Sequence, residues 1–281
     1  MEAIQCREVC DLVDELGKFY EERAHEKFPT SDNPENDAVN RRALKALELQ
    51  PGQRLLDFGC SDGYFTSRLA QACPGLEAYG VDLVSHAHWR KLPSITFVAG
   101  DFPIPFPDGY FDAVFSSQVL EHLPDPALAI SELSRVVKRG GRMWIATPNS
   151  YDDTWSVFHG LQHYIDKVEF HFRHFSAQEL RLMFATYGCE VVNVNYDLFA
   201  GLWLYYKMVS YNPRLKKRLL KVVAPEIAAG SCRAGTSSAP NAGSSIPKTI
   251  AFAVLRALRK FDEMFSKSPL CQVIEVTVIK K

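Results

Sequence analysis

The stretch from Arg54 to Phe65, RLLDFGCSDGYF, constrains the fold more than any other part of the chain. Leu55 and Leu56 belong to a short apolar run that reads as a buried strand. Asp57 ends the run, a turn with Gly59 and Gly63 follows, and a helical pattern begins near Tyr64. Strand, glycine turn and helix in succession place backbone N–H groups and a helix N-terminus beside a ligand. Glycines in such a turn leave room for a cofactor to rest on the backbone.

The same alternation continues downstream. Strands are predicted near 53–58, 76–82, 95–99, 111–116, 142–147, 189–197 and 272–280, and helices near 63–72, 126–138 and 176–187. Asp125-Pro126 is an N-cap followed by proline at the first helical position, and Gly140-Gly141 is expected to stop that helix. Apolar strands separated by helices indicate an α/β fold with a parallel sheet covered on both faces. Residues 53–197 and 271–281 are assigned to this domain.

Two segments stand outside it. Residues 1–52 form a helical leader, with Ile4, Val9, Leu12, Val13, Leu16 and Tyr20 at helical spacing and a second helix from about Glu35 to Leu49. The leader packs against the core or caps the active site; as a cap, it brings Phe19 and Tyr20 to the substrate. Residues 198–270 form a long insertion between the last two strands, where compact folds usually have a short loop. Trp203, Tyr205, Tyr206 and Tyr211 precede Arg214, Lys216, Lys217, Arg218 and Lys221, and residues 229–248 have a flexible, small-residue composition. Residues 199–221 read either as a helical lid or as a peripheral contact with an anionic membrane.

Composition narrows the classes. A 47% hydrophobic and 23% charged chain of net charge −1 has ample core material and nothing global that suggests nucleic acid. Seven dispersed cysteines without a secretory pattern predict a reducing, cytoplasmic setting.

Chemistry-bearing residues fall at the predicted strand ends. Asp82 closes the second strand, where nucleotide-binding α/β folds use an acid to grip both ribose hydroxyls. Asp101 and Phe102 follow the third, a carboxylate and an aromatic suited to an adenine ring. Three acids at successive strand ends, counting Asp57, are hard to assign to solvation alone.

With these motifs in place, the chain resembles class I S-adenosylmethionine-dependent methyltransferases of the type 11 methyltransferase domain group. LLDFGCSDG resembles the glycine motif and GVDL the ribose motif. VAGDFPIPFPDGYFDAVFSSQVLEHLPDP resembles the adenine and fourth-strand motifs, ELSRVVKRGGRMWIATPN the next helix and strand, and HFRHFSAQELRLMFATYGCEV the segment after them. The resemblance implies a Rossmann-like, seven-stranded, mostly parallel sheet with an antiparallel last strand, and S-adenosylmethionine as cofactor. It assigns Asp57, Gly59, Ser61 and Gly63 to the methionine and ribose side, Asp82 to the ribose hydroxyls, and Asp101 and Phe102 to the adenine. Gln118 is assigned to the methionine end. Ser61 replaces a common family glycine. Gln118 stands where quinone-pathway relatives carry a glutamate before a pair like Glu121-His122, so no metal is assigned.

On the acceptor side, His122 and His171 are candidate bases and Arg173 a candidate substrate contact. A neutral imidazole can take a hydroxyl proton, although methyl transfer depends mainly on alignment. A structural or solvated role is the default for His159, His163 and His174. The expected reaction is methyl transfer, with oxygen the favoured acceptor atom, to a small-molecule, glycan or lipid-linked acceptor. Two other classes remain: an α/β-hydrolase using Ser61 in Gly59-Cys60-Ser61-Asp62-Gly63, and a non-catalytic S-adenosylmethionine-binding module. The elbow reading lacks upstream strands and leaves Asp82 and Asp101 unexplained.

Overall fold

The computed structural model describes residues 34–150, 170–197 and 264–281, together with Lys18, Asp166, Lys260 and Phe261. Tyr20, His159, His163 and the aromatic and basic run 199–221 lie outside the described residues. No helix among the described residues is long and apolar enough to cross a membrane.

The described elements in chain order are α1 (Pro34–Leu47), β1 (Arg54–Phe58), α2 (Tyr64–Ala72), β2 (Glu77–Asp82), β3 (Thr96–Ala99), β4 (Phe111–Ser117), α3 (Pro126–Val136), β5 (Val137–Pro148), α4 (Ala177–Thr186), β6 (Cys189–Asp197) and β7 (Val273–Lys280). The strands form one sheet in the order β3-β2-β1-β4-β5-β7-β6. β7 runs antiparallel to both of its neighbours, and the pairs among β1 to β5 are parallel. This is the predicted seven-stranded sheet with an antiparallel last strand.

Strand periodicity divides the apolar residues between two faces. Leu56, Val114, Ile145, Ile274, Val276 and Val278 face one cluster with Ile130 and Leu133 of α3 and Leu180 and Phe184 of α4. Leu55, Phe115 and Trp144 face the other, with Ala43 and Leu47 of α1 and Leu69 of α2. The Phe115 and Trp144 rings stack at 5.1 Å. The described part of the leader is therefore a layer of the core. Two helix starts follow from their caps: Asp125 accepts from the Ala127 and Leu128 amides, and Ser176 with Glu179 forms a capping box.

One boundary differs from the sequence prediction. The helix expected to run to residue 138 ends at Val136, and Gly140-Gly141 does not terminate it. Val137 instead pairs with Phe111, and pairing resumes at Ala113↔Arg142, so 138–141 bulge out of the ladder. Val137 is fully buried, and its burial in the sheet outweighs one more helical residue. Gly141 lies inside the bulge, where a Cβ would stand 2.9 Å from the Asp112 carbonyl.

Alternation also turns Glu275 of β7 toward α1, where it is almost fully buried. Arg42 answers it with Nε and Nη2 at 2.6–2.9 Å and also holds Asp197 at 2.6 Å. Arg42→Ala leaves two buried carboxylates without this cation and is expected to cost about 2–4 kcal/mol in urea unfolding, with Arg42→Lys recovering part of it. A loss below about 0.5 kcal/mol would show that the ion pairs do not anchor α1.

Candidate active site

Parallel register brings the carboxyl ends of β1, β2, β3, β4 and β5 to one edge of the sheet, because Asp57 pairs with Gly80 and Phe115, and Asp82 with Ala99. The loop after β1 is fixed there by backbone bonds. The Val81 carbonyl accepts the Gly59 and Cys60 amides at 2.8 and 3.1 Å. The Ser61 amide donates to Asp82 Oδ2 at 2.7 Å, and the Ser61 carbonyl accepts from Trp89 Nε1 at 2.7 Å. Trp89 stacks on Phe97 at 4.8 Å. Ser61 itself is left-handed at φ 47.

Asp82, the expected ribose ligand, is thus also part of the loop's scaffold. Burial pushes its carboxyl above the usual range, opposed by the Ser61 amide. The glycines have a protein-internal reason as well. A Cβ on Gly59 would lie 2.2 Å from Val119 Cγ2, and one on Gly63 would lie 2.6 Å from Phe97 Cζ. Both have positive φ. Space and conformation require glycine at these two positions before any ligand is considered.

Asp57, expected on the cofactor-lining side, is buried. It is 1% exposed beneath the loop, and its carboxylate accepts from Thr66 Oγ1 at 2.5 Å. Burial pushes its pKa up to about 7, against the lowering effect of the Thr66 hydroxyl. Its visible action is to tie the end of β1 to the first turn of α2. Cys60, also buried, has its thiol pushed up by burial.

The remaining cofactor candidates lie along the same edge. Asp101 is exposed and accepts its neighbour's amide, Phe102 N–H, at 2.8 Å. The half-buried Phe102 ring sits 5.9 Å from Phe58. Gln118 is exposed at φ 57, with its amide donated to the Ala146 carbonyl at 2.8 Å. Among the described residues no histidine bonds the Ser61 hydroxyl, and β1 is the first of the described strands. Neither finding fits a hydrolase elbow.

The residues expected on the acceptor side lie where the segment 170–175 meets the ends of β4 and β5. Asn149 and Phe175 bridge in parallel, and the Phe172 amide donates to the Glu121 carbonyl at 2.8 Å. His122 and His171 meet edge to face at 4.8 Å, so the two candidate bases do come together. His122 Nδ1 lies 3.2 Å from the Phe170 carbonyl. Arg173, the candidate substrate contact, is exposed and donates to the Pro124 carbonyl at 2.8 Å, which anchors the segment.

Three participants were not singled out by the sequence. Glu121 is fully buried and accepts from Thr147 Oγ1 at 3.0 Å. Asp166 Oδ1 lies 3.1 Å from His171 Nδ1 and 3.0 Å from His174 Nε2. Burial would raise the Asp166 carboxyl, but the two imidazoles outweigh it and hold it below the usual carboxylate range. The His171-Phe172-Arg173-His174 run was the available signal for His174; Asp166 had none.

Comparison with known proteins shows the family. A family model described as a methyltransferase domain matches residues 7–194. A demethylmenaquinone methyltransferase of Beutenbergia cavernae is 35% identical over 131 residues, covering 44% of this chain and 52% of that protein. A probable S-adenosylmethionine-dependent methyltransferase of Mycolicibacterium smegmatis is 33% identical over 142 residues, covering 50% and 53%. The chain thus spans about half the length of these curated relatives. Among solved structures, a putative sarcosine dimethylglycine methyltransferase from Galdieria sulphuraria shares the fold with a TM-score of 0.58 and 17% identity, covering 88% of this chain and 85% of that one.

Asp57 generates a pH prediction. Its folded pKa near 7 lies above the unfolded value near 4, so the native state keeps a proton that the unfolded chain releases. Wild-type stability relative to Asp57→Asn should therefore fall as pH rises from roughly 4 to 7, with the full cost present above that. Urea unfolding without cofactor should show Asp57→Asn gaining a few kcal/mol on the wild type between roughly pH 4 and 8. A difference that does not change with pH would refute protonated Asp57.

Proposed function

The chain belongs to the methyltransferase-domain family of S-adenosylmethionine-dependent enzymes, and on that premise we propose that it transfers the methyl group of S-adenosylmethionine to a small-molecule acceptor bound at the ends of β4 and β5. The observation that carries the reading is the shared edge. The loop at Gly59–Gly63, Asp82, Asp101 with Phe102, and Gln118 all reach it through strand register, and the His122–His171 pair stands at the same edge.

In this reading Asp82 accepts the ribose hydroxyls with the lone pairs not engaged by the Ser61 amide. Asp101 takes the adenine amino group and Phe102 packs on the ring. Gly59, Ser61 and Gly63 line the methionine and ribose side through their backbone, Gln118 faces the methionine end, and Asp57 supports the loop from below. The acceptor heteroatom attacks the methyl carbon in line, the carbon–sulfur bond breaks, and sulfur keeps the electron pair as a neutral thioether. An acceptor hydroxyl must also lose its proton. His122, whose Nδ1 lies 3.2 Å from the Phe170 carbonyl, is in this reading the imidazole that takes that proton. A proton-accepting imidazole suits oxygen as the methylated atom. The Beutenbergia relative is named for demethylmenaquinone, which supports a quinone-like small-molecule acceptor.

Two measurements test this reading. Calorimetry should find S-adenosylmethionine bound by the wild type and weakened on the order of a hundredfold by Asp82→Ala, with circular dichroism confirming the fold. Equal affinity in the variant would remove Asp82 from the ribose site. Incubation with methyl-labelled S-adenosylmethionine and a metabolite extract should then label an acceptor, and the label should fall at least about tenfold in His122→Gln. Binding without any transfer would favour a non-catalytic cofactor-binding module.

A further inference from the structure

Asp166, His171 and His174 converge away from solvent, with side chains 10%, 7% and 6% exposed. Their ligand-capable atoms all lie within 4.8 Å of one another. His174 shows what the cluster requires. Its Nδ1 lies 2.8 Å from the Asn149 carbonyl, which can only accept, so Nδ1 carries the hydrogen. In the neutral ring, Nε2 then presents a lone pair. That lone pair faces Asp166 Oδ1 at 3.0 Å, and an ionised carboxylate oxygen also only accepts. Two acceptors at this distance repel unless a proton or a metal cation stands between them.

The two spacings fit a cation as well as a proton. Ligand atoms each about 2.1 Å from one small metal ion are separated from each other by roughly 3.0–3.4 Å. Asp166 Oδ1 stands 3.1 Å from His171 Nδ1 and 3.0 Å from His174 Nε2. A backbone carbonyl on the far nitrogen of a ligating imidazole is the usual device that fixes its tautomer and aim, and Asn149 supplies it here. Two imidazole nitrogens and one carboxylate oxygen form a donor set for a borderline first-row ion rather than for calcium or magnesium, which prefer oxygen.

We propose that Asp166, His171 and His174 form a binding site for a divalent transition-metal ion of the zinc class, with the remaining coordination positions open to water or a ligand. The site goes beyond methyl transfer, and its occupancy can be read without turnover. It also departs from the expectation of no metal, which rested on Gln118. These ligands come from the segment after β5 and not from the Gln118 position. The neighbouring Glu121, His122 and His171 group shares only His171 with this set, so the two are separable.

Tag-free full-length protein, stripped with chelator, is titrated with Co²⁺ as a spectroscopic probe. The expected result is one equivalent bound, with visible d–d absorption that Zn²⁺ abolishes by displacement. Asp166→Asn and His174→Gln should weaken Co²⁺ binding at least about tenfold, whereas His122→Gln and the outlying His88→Ala should leave it intact. A wild type that takes up no Co²⁺ overturns the site and assigns the gap to a proton on His174, a result that does not depend on any variant folding. Wild-type affinity in both Asp166→Asn and His174→Gln, or loss on His122→Gln with retention in Asp166→Asn, overturns it equally.

Discussion

The site depends on the Val81 carbonyl taking two amides of the loop after β1, while the next residue, Asp82, takes a third. A loop that leaves a strand through left-handed residues has no regular ladder to satisfy its N–H groups, and unpaired buried donors are costly. Here the adjacent strand supplies the acceptors. The loop's shape is therefore set by the β1–β2 register, and a one-residue slip would turn the Asp82 side chain to the opposite face of the sheet. Val119 and Phe97 close the loop from outside by occupying the space a Cβ would need on Gly59 and Gly63.

This arrangement gives the edge a particular electrostatic character. Asp57 and Asp82 sit close together and both are pushed toward the protonated form, with burial the leading cause. Without a ligand the fold carries that desolvation cost. Polar hydroxyls presented to Asp82 would offset part of it, so ligand affinity and apo-state strain are linked through the same carboxylates. The histidine cluster differs: hydrogen bonds and charge from His171 and His174 hold the Asp166 carboxyl below the usual range.

Sequence patterns exposed the strands and the acids at their ends because both are local. Leu55 and Leu56 announce β1, Asp82 ends β2, and Asp125-Pro126 marks the start of α3. The limits of α3 and β5 were hidden because Val137 satisfies a helix equally well until its pairing with Phe111 is known. Asp57 reads as a loop acid, and only the bond to Thr66 shows it beneath the loop. The glycines read as ligand clearance, yet their closest neighbours are Val119 and Phe97. The histidine cluster was least legible. Asn149 and His174 are 25 residues apart and Glu121 and Thr147 are 26 apart, and no local period reports such contacts.

Arg42 has a topological consequence beyond the stability of α1. Its two carboxylate partners, Asp197 and Glu275, lie at the last residue of β6 and near the first of β7. Asp197 also pairs directly with Val273. The points where the chain leaves and re-enters the sheet around residues 198–272 are thus fastened side by side. The entropy of closing a loop between fixed ends grows only slowly with its length. That excursion can be lengthened, shortened or rewritten at small thermodynamic cost, while the edge that holds the cofactor candidates keeps its register. The clamp fixes both ends of the excursion at the carboxyl edge, where Val273 also pairs with Pro148 of β5.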